Sequence, residues 1–181
     1  MNIFATSESP EIAAQDLCDK HVVKMVLETA QLLSTATRIL LDDVRDDIYK
    51  STHTKHPCTL WAATNMSNMN WLVEHGIALS NEYTYRYKKV HKSLDVLLAV
   101  RDKYAPLCSV LLYRDFLTPF ALAMPEDCKK YKIKYNHLSD VERSVIRIRN
   151  YYMTEKKDIA EWNKGRPAPS WYTSGNPLLG M

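Results

Sequence analysis

The chain has 181 residues, of which 46% are hydrophobic and 25% charged, with a net charge of +3. That is the size of one domain, apolar enough to build a core and to exclude general disorder. Four glycines in all argue against a Gly-rich phosphate loop and against a turn-rich β protein. No apolar run nears the roughly 18 residues of a membrane span. The start, MNIFATSESPE, lacks the basic and apolar regions of a signal peptide, so a cytoplasmic location is expected.

Ser9-Pro10-Glu11 starts a helix, with Ser9 as N-cap and Pro10 in the first turn. The helical pattern runs to about Leu41. Residues 42–56 read as a polar loop. Pro57 opens a second long helical pattern to about Lys89, with a break placed near Gly76. Residues 93–104 and 106–115 read as shorter helices. Ser139 and Glu142 form a capping box, and the helix they start is predicted to reach about Trp162. The two prolines in Arg166-Pro-Ala-Pro-Ser-Trp-Tyr172 predict an extended tail. No segment alternates with period two. The expected fold is all-α: one domain over residues 1–181, with three long helices, shorter ones and an extended C-terminal tail.

The first long helix carries the sharpest signal. Val22, Val23, Met25, Val26, Leu27, Ala30, Leu32 and Leu33 surround most of its cylinder, which predicts a central helix. Against them runs one polar stripe, His21, Lys24, Glu28, Gln31 and Thr35, at steps of three and four that keep it on one face. Buried polar groups cost several kcal/mol each unless paired or facing a cavity, so the stripe is expected to line a cleft. Glu28 is then its carboxylate, with His21 and Lys24 within two turns. The bland alternative is an ordinary solvated or helix-paired face.

On the second long helix Trp61, Asn65, Asn68, Trp71 and His75 share a side, followed by Glu82 and Arg86. Such amides can read a base edge while the rings stack on it. A packing face with satisfied amides fits the same spacing. The third long helix offers Arg147 and Tyr151 one turn apart.

Charge is uneven. Residues Lys129–Arg166 hold 7 Lys and 4 Arg against 5 acids, and Arg86–Lys92 holds no acid at all. Basic stretches interleaved with aromatics suit a nucleic-acid or phosphate partner. Four cysteines without a CxxC pair, and an isolated His53-Thr-Lys-His56, imply no metal site.

Asp19-Lys-His-Val-Val-Lys-Met-Val-Leu-Glu-Thr-Ala-Gln-Leu-Leu-Ser-Thr-Ala36, with the Met1-Asn-Ile-Phe4 start, His56-Pro57 and the aromatic ending at Trp171-Tyr172, resembles short bacteriophage proteins. These are grouped loosely with the pyrimidine-dimer DNA glycosylases of the endonuclease V type. The resemblance to the phage proteins spans most of the chain. It implies an all-α, cofactor-free protein acting on damaged DNA in the cytoplasm of the infected host, with Glu28 matching the essential glutamate of the first helix. The nucleophile of those glycosylases is the α-amine freed by removal of Met before a small residue. Here position 2 is Asn, a large residue before which Met1 is expected to stay. Lys24 is the other amine, and Glu28 one turn on is expected to hold it as a paired ammonium. An imine step is therefore not expected.

These readings converge on an enzyme that excises or modifies pyrimidine bases in DNA around Glu28. His21 and Lys24 stand beside it. Gln31, Trp61, Asn65, Asn68, Trp71, His75, Glu82, Arg86, Arg147, Tyr151 and Trp171 are the candidate substrate contacts. A flipped base stacked on tryptophan gains about 1–3 kcal/mol. The alternatives are an enzyme on a free nucleotide or small phosphorylated substrate, and a non-enzymatic phage protein that binds a host partner.

Overall fold

A computed structural model describes residues 1–112, 116–133 and 136–180. Helix takes 57% of the chain, and no strand occurs among the described residues, as the missing alternation predicts.

Helix α1, Pro10–Asp16, starts where the sequence places it, with the Ser9 hydroxyl accepting from the Ile12 N–H. It does not continue into the next helix. The chain breaks at Leu17 and Cys18, and α2 runs over Asp19–Leu40. The break is held from outside. Arg86 donates to the carbonyls of Gln15 and Leu17, the Tyr152 hydroxyl accepts from the Cys18 N–H, and the Asp19 N–H goes to Glu161 O. Backbone groups freed by the interruption thus find partners from distant elements. Arg38 fastens loop 42–56 by donating to the carbonyls of Val44, Arg45, Ile48 and Tyr49, and Ser34, Thr35 and Tyr104 bond to the loop as well.

The second long pattern is also two helices, α3 at Pro57–Ala62 and α4 at Met66–Tyr87. The break lies at 63–65, not at Gly76. Asn65 caps α4 by accepting from the Asn68 N–H at 2.8 Å. Gly76 stays inside α4 for a packing reason: a Cβ there would meet Leu97 Cδ2 at 2.7 Å and Thr29 Cγ2 at 2.9 Å. Next come α5 at Leu94–Ala99, a wider π turn at Val100–Tyr104 and α6 at Ala105–Cys108. Pro106 has no N–H, and its ring crowds the carbonyl four residues back, which accounts for the widened turn before it. The helix expected over 106–115 stops at Cys108, and 113–115 lie outside the described residues.

After α7, Glu126–Lys129, the Ser139–Glu142 capping box starts α8 at Asp140–Glu155. A short 3-10 turn, Lys157–Ile159, follows, so α8 is shorter than predicted. The tail is extended to Pro169 and then forms one turn, α9, at Ser170–Thr173.

The first six residues have no periodicity, yet they are deeply placed. Asn2, Ile3, Phe4, Ala5 and Thr6 are all buried, and each of the three long helices holds this thread with one polar side chain. Glu28 of α2 accepts from the Asn2 N–H. A ring nitrogen of His75 on α4 lies 3.1 Å from Ile3 O. Arg149 of α8 donates to Thr6 O at 2.7 Å. The thread bends sharply at Phe4, whose φ is 44°. An aromatic residue there costs roughly 1–2 kcal/mol. The bend is stabilised by Asn2 Oδ1, which accepts from the N–H groups of both Ile3 and Phe4.

Candidate active site

His21, Lys24 and Glu28 of the α2 stripe, with the N-terminal thread, line an open cavity of about 180 Å³, walled also by Asn2, Tyr151 and Lys156, whereas Thr35 turns to the backbone of Thr52. Glu28 is 8% exposed. Its Oε2 accepts from the Asn2 N–H at 3.1 Å, and its Oε1 pairs with Lys24 Nζ, also at 3.1 Å. Lys24 lies mostly in solvent, so the pair reaches from the cavity floor to the surface. Lys156, just past the end of α8, sits 4.9 Å over the Tyr151 ring. Two ammonium groups thus share the cavity lining with one carboxylate, which favours phosphate oxygens at the mouth.

His21 stacks on Phe4 with ring centroids 4.5 Å apart. Its Nδ1 lies 2.8 Å from the Tyr152 hydroxyl. Burial first, then the charges of Lys156 and Lys24, push its pKa down to about 4, so at neutral pH it is an uncharged imidazole. His56 and Cys58, at the start of α3, both feel the charge of the N-terminal ammonium. Burial holds the His56 pKa below its ordinary value and pushes the Cys58 thiol up to about 12. Cys58 is therefore a packing group and not a thiolate.

The structure brings together His21, Lys24, Glu28 and Tyr151 and leaves the other sequence candidates outside this cavity. Gln31 is half-buried one turn further along α2. Trp61 and Trp71 are core rings packed on Phe120, and Trp71 donates to Glu8 O at 2.6 Å. They present no open face on which a base could stack. Asn65 caps α4. Asn68 is engaged by Trp61 O and by both the hydroxyl and the N–H of Thr118. His75, fully buried, faces Pro10 O and Ile3 O, and burial pushes its pKa down to about 4 while those carbonyls pull upward. Glu82 is gripped by Arg86 and Arg166. Arg147 bonds back to Arg143 O within α8. Trp171 is 2% exposed and donates to Asp16 at 2.8 Å. Asn68, Trp71, His75, Glu82, Arg86 and Trp171 are bound to partners from distant elements, and Trp61 is held by ring packing, so these residues pack the frame around the site.

Phe4, Tyr152 and Lys156 were not among the sequence candidates, and Asn2 entered only as the residue that follows Met1. Asn2 and Phe4 lie on a segment without periodicity. The only cue for Tyr152 and Lys156 was their nearness to Tyr151 on α8. A larger cavity of about 700 Å³ lies between α1 and α4, near Pro10, Glu74, Ile77, Tyr85 and Arg166. It brings no such set of reactive groups together, because its buried carboxylate, Glu82, is held by two arginines. Among the described residues no group of three His, Cys, Asp or Glu side chains is placed to hold a metal ion, and no helix is long and apolar enough to cross a membrane. His53 instead pairs with Thr52 Oγ1, and His56 Nδ1 caps α3.

The profile of the pyrimidine dimer DNA glycosylases matches residues 1–95, and the chain belongs to that family. The matched span carries Asn2, His21, Lys24 and Glu28, whereas Tyr151, Tyr152 and Lys156 lie beyond it. No curated protein and no solved structure matches the chain. The family ties the protein to DNA and to glycosylase-like action.

Proposed function

We propose that this protein releases a damaged pyrimidine base from duplex DNA, with Glu28 at the reacting sugar and Lys24 and Lys156 on the flanking phosphates. The observation that carries the reading is the 3.1 Å contact between the Asn2 nitrogen and Glu28 Oε2 inside an open cavity. A carboxylate so placed stabilises the positive charge that develops on the deoxyribose as the C1′–N bond breaks and the base leaves with the bonding electrons. While Met1 is retained, the Asn2 nitrogen is an amide and has no free lone pair. The nucleophile is then water, which adds at C1′ and gives its proton to Glu28. If Met1 is lost, the same nitrogen becomes a primary amine, and its attack on C1′ ends in an imine.

The test is incubation with duplexes carrying a pyrimidine dimer or another damaged pyrimidine, followed by alkali and by borohydride trapping. Expected are an alkali-labile site at the lesion, intact Met1 by mass spectrometry and no trapped adduct. An adduct mapped to the N-terminus would make the amine the nucleophile. If no damaged duplex is cleaved and a free nucleotide is turned over instead, the DNA reading is lost.

A further inference from the structure

We infer that Tyr152 is a positioning residue that fixes His21 as its Nε2–H tautomer, so that a neutral N–H donor faces the Glu28 cavity. The inference rests on the reading of that cavity as the reaction site and adds a division of labour within it.

The phenolic oxygen of Tyr152 has two neighbours at hydrogen-bond distance. It accepts from the Cys18 N–H at 2.9 Å, which occupies one lone pair. It lies 2.8 Å from His21 Nδ1, and one proton must sit in that contact. If it is the phenolic proton, Nδ1 is the acceptor and the ring's own proton is on Nε2. The other arrangement has Nδ1–H donating to the phenol. The phenol's own proton would then turn to the Cys18 thiol, which also neighbours it and is a much weaker acceptor than imidazole. The first arrangement satisfies every group with its better partner.

The remaining geometry keeps the ring still. Phe4 stacks on it at an interplanar angle of 19°, and Tyr152 meets it edge-on at 76°. Tyr152 is itself 0% exposed, so neither ring has room to turn. His21 Nε2 has no protein partner among the described residues, is not enclosed as a buried orphan, and belongs to a side chain of the cavity wall. Burial and the two neighbouring lysines keep the ring uncharged. With Nδ1 engaged and Nε2 protonated, His21 offers the cavity a hydrogen-bond donor and no lone pair. The proton-accepting role is thereby left to Glu28. The acceptor it suits is an oxygen of the nucleotide, either on the deoxyribose or on the base.

Histidine ¹⁵N–¹H correlation spectra of the folded protein at neutral pH read the tautomer directly. The expected pattern for His21 is a protonated Nε2 and an unprotonated Nδ1, and Tyr152→Phe should convert it to a tautomer mixture. An Nδ1–H pattern in the wild type, or an unchanged pattern in Y152F, overturns the inference.

A cycle of excision rates on a damaged duplex adds a readout that a purely structural tyrosine would not move. His21→Gln retains an amide N–H near the Nε2 position without needing a tautomer. Y152F should lower kcat about tenfold, with little change in KM, when His21 is present, and by less than about twofold in the H21Q background. Equal losses in both backgrounds would make Tyr152 merely structural. A wild type that excises nothing would instead count against the proposed function, and the spectra would still decide the tautomer.

Discussion

Glu28 and Glu82 are the same residue type, both on long helices and both buried, at 8% and 4% exposure, yet their surroundings are opposite. Glu82, although on the wall of the larger cavity, is tied up in an ion-pair knot. Arg86 pairs with it at 2.7 Å and with Asp19 at 2.9 Å, Arg166 grips it from the tail, and the spare guanidinium N–H groups of Arg86 take the carbonyls of Gln15 and Leu17. Glu28 has one main-chain N–H, one solvent-exposed lysine and an open cavity. A carboxylate surrounded by fixed cations on all sides holds elements together. One left partly unmet is available for chemistry.

The largest effect should come from breaking the knot. Arg86→Ala would strand Glu82 and Asp19 as buried charges and release two carbonyls. Removing one partner of a buried pair costs about 3–5 kcal/mol, or roughly 10 °C in Tm for a chain of this size. Thermal unfolding that stays within about 2 °C of the wild type would show that the knot bears little of the fold.

Glu28→Gln should behave in the opposite way. The amide oxygen can still accept from the Asn2 N–H, so stability should change by less than about 1 kcal/mol. Excision should fall by about 10²–10³-fold, the usual cost of losing a group aimed at transition-state charge. A variant that melts like the wild type and also cleaves like it would remove Glu28 from the mechanism.

Both carboxylates lie on helices whose spacing was visible in the sequence, and both were candidates, Glu28 as the reacting carboxylate and Glu82 as a substrate contact. His21, Lys24 and Glu28 recur at helical steps on an otherwise apolar helix, and such a pattern specifies one face without any knowledge of the partner. Glu82 and Arg86 satisfy the same rule yet are tied into an ion-pair knot, and what distinguishes them is Arg166, eighty residues away. The helix breaks at Leu17–Cys18 were hidden for a similar reason, since Arg86 and Tyr152 supply the bonds that permit them. The break at 63–65 did have a local signal, an Asn65 able to cap Asn68, which the apolar pattern across it obscured. The buried course of residues 2–6 had no signal at all, as a short irregular thread carries no period.

Acid should weaken the region around the thread through His21 and His75, whose pKa values are pushed down to about 4 by burial. The unfolded chain binds protons on both below about pH 6.5, while the folded chain does so only near pH 4. Their contribution is therefore complete above pH 6.5 and is lost as the pH falls through that window. At about 1.4 kcal/mol per pKa unit, each accounts for up to roughly 3 kcal/mol. Tm should drop steadily from pH 7 to pH 4.5, and His21→Gln should remove part of that slope. A flat profile would mean that these rings titrate normally in the fold.

The smallest effect on stability, and the most specific one on binding, belongs to Lys24. Its side chain is 68% exposed while its partner Glu28 is 10% exposed. A pair open to solvent on one side is worth about 0–1 kcal/mol, because water already solvates the ammonium and salt screens what is left. Lys24→Ala should therefore leave Tm within about 2 °C. If Lys24 contacts a phosphate as DNA docks over the cavity, the loss appears elsewhere. Each phosphate contact contributes about 0.9 to the slope of log affinity against log salt, so K24A should flatten that slope by about one and weaken binding to damaged and undamaged duplex alike. The contrast with Arg86 is then complete: the cation sealed at the knot acts on folding, and the one standing in solvent acts on the ligand. A Lys24→Ala protein whose salt slope matches the wild type would place the DNA backbone away from the Glu28 cavity, leaving Lys24 as no more than the outer partner of a surface pair.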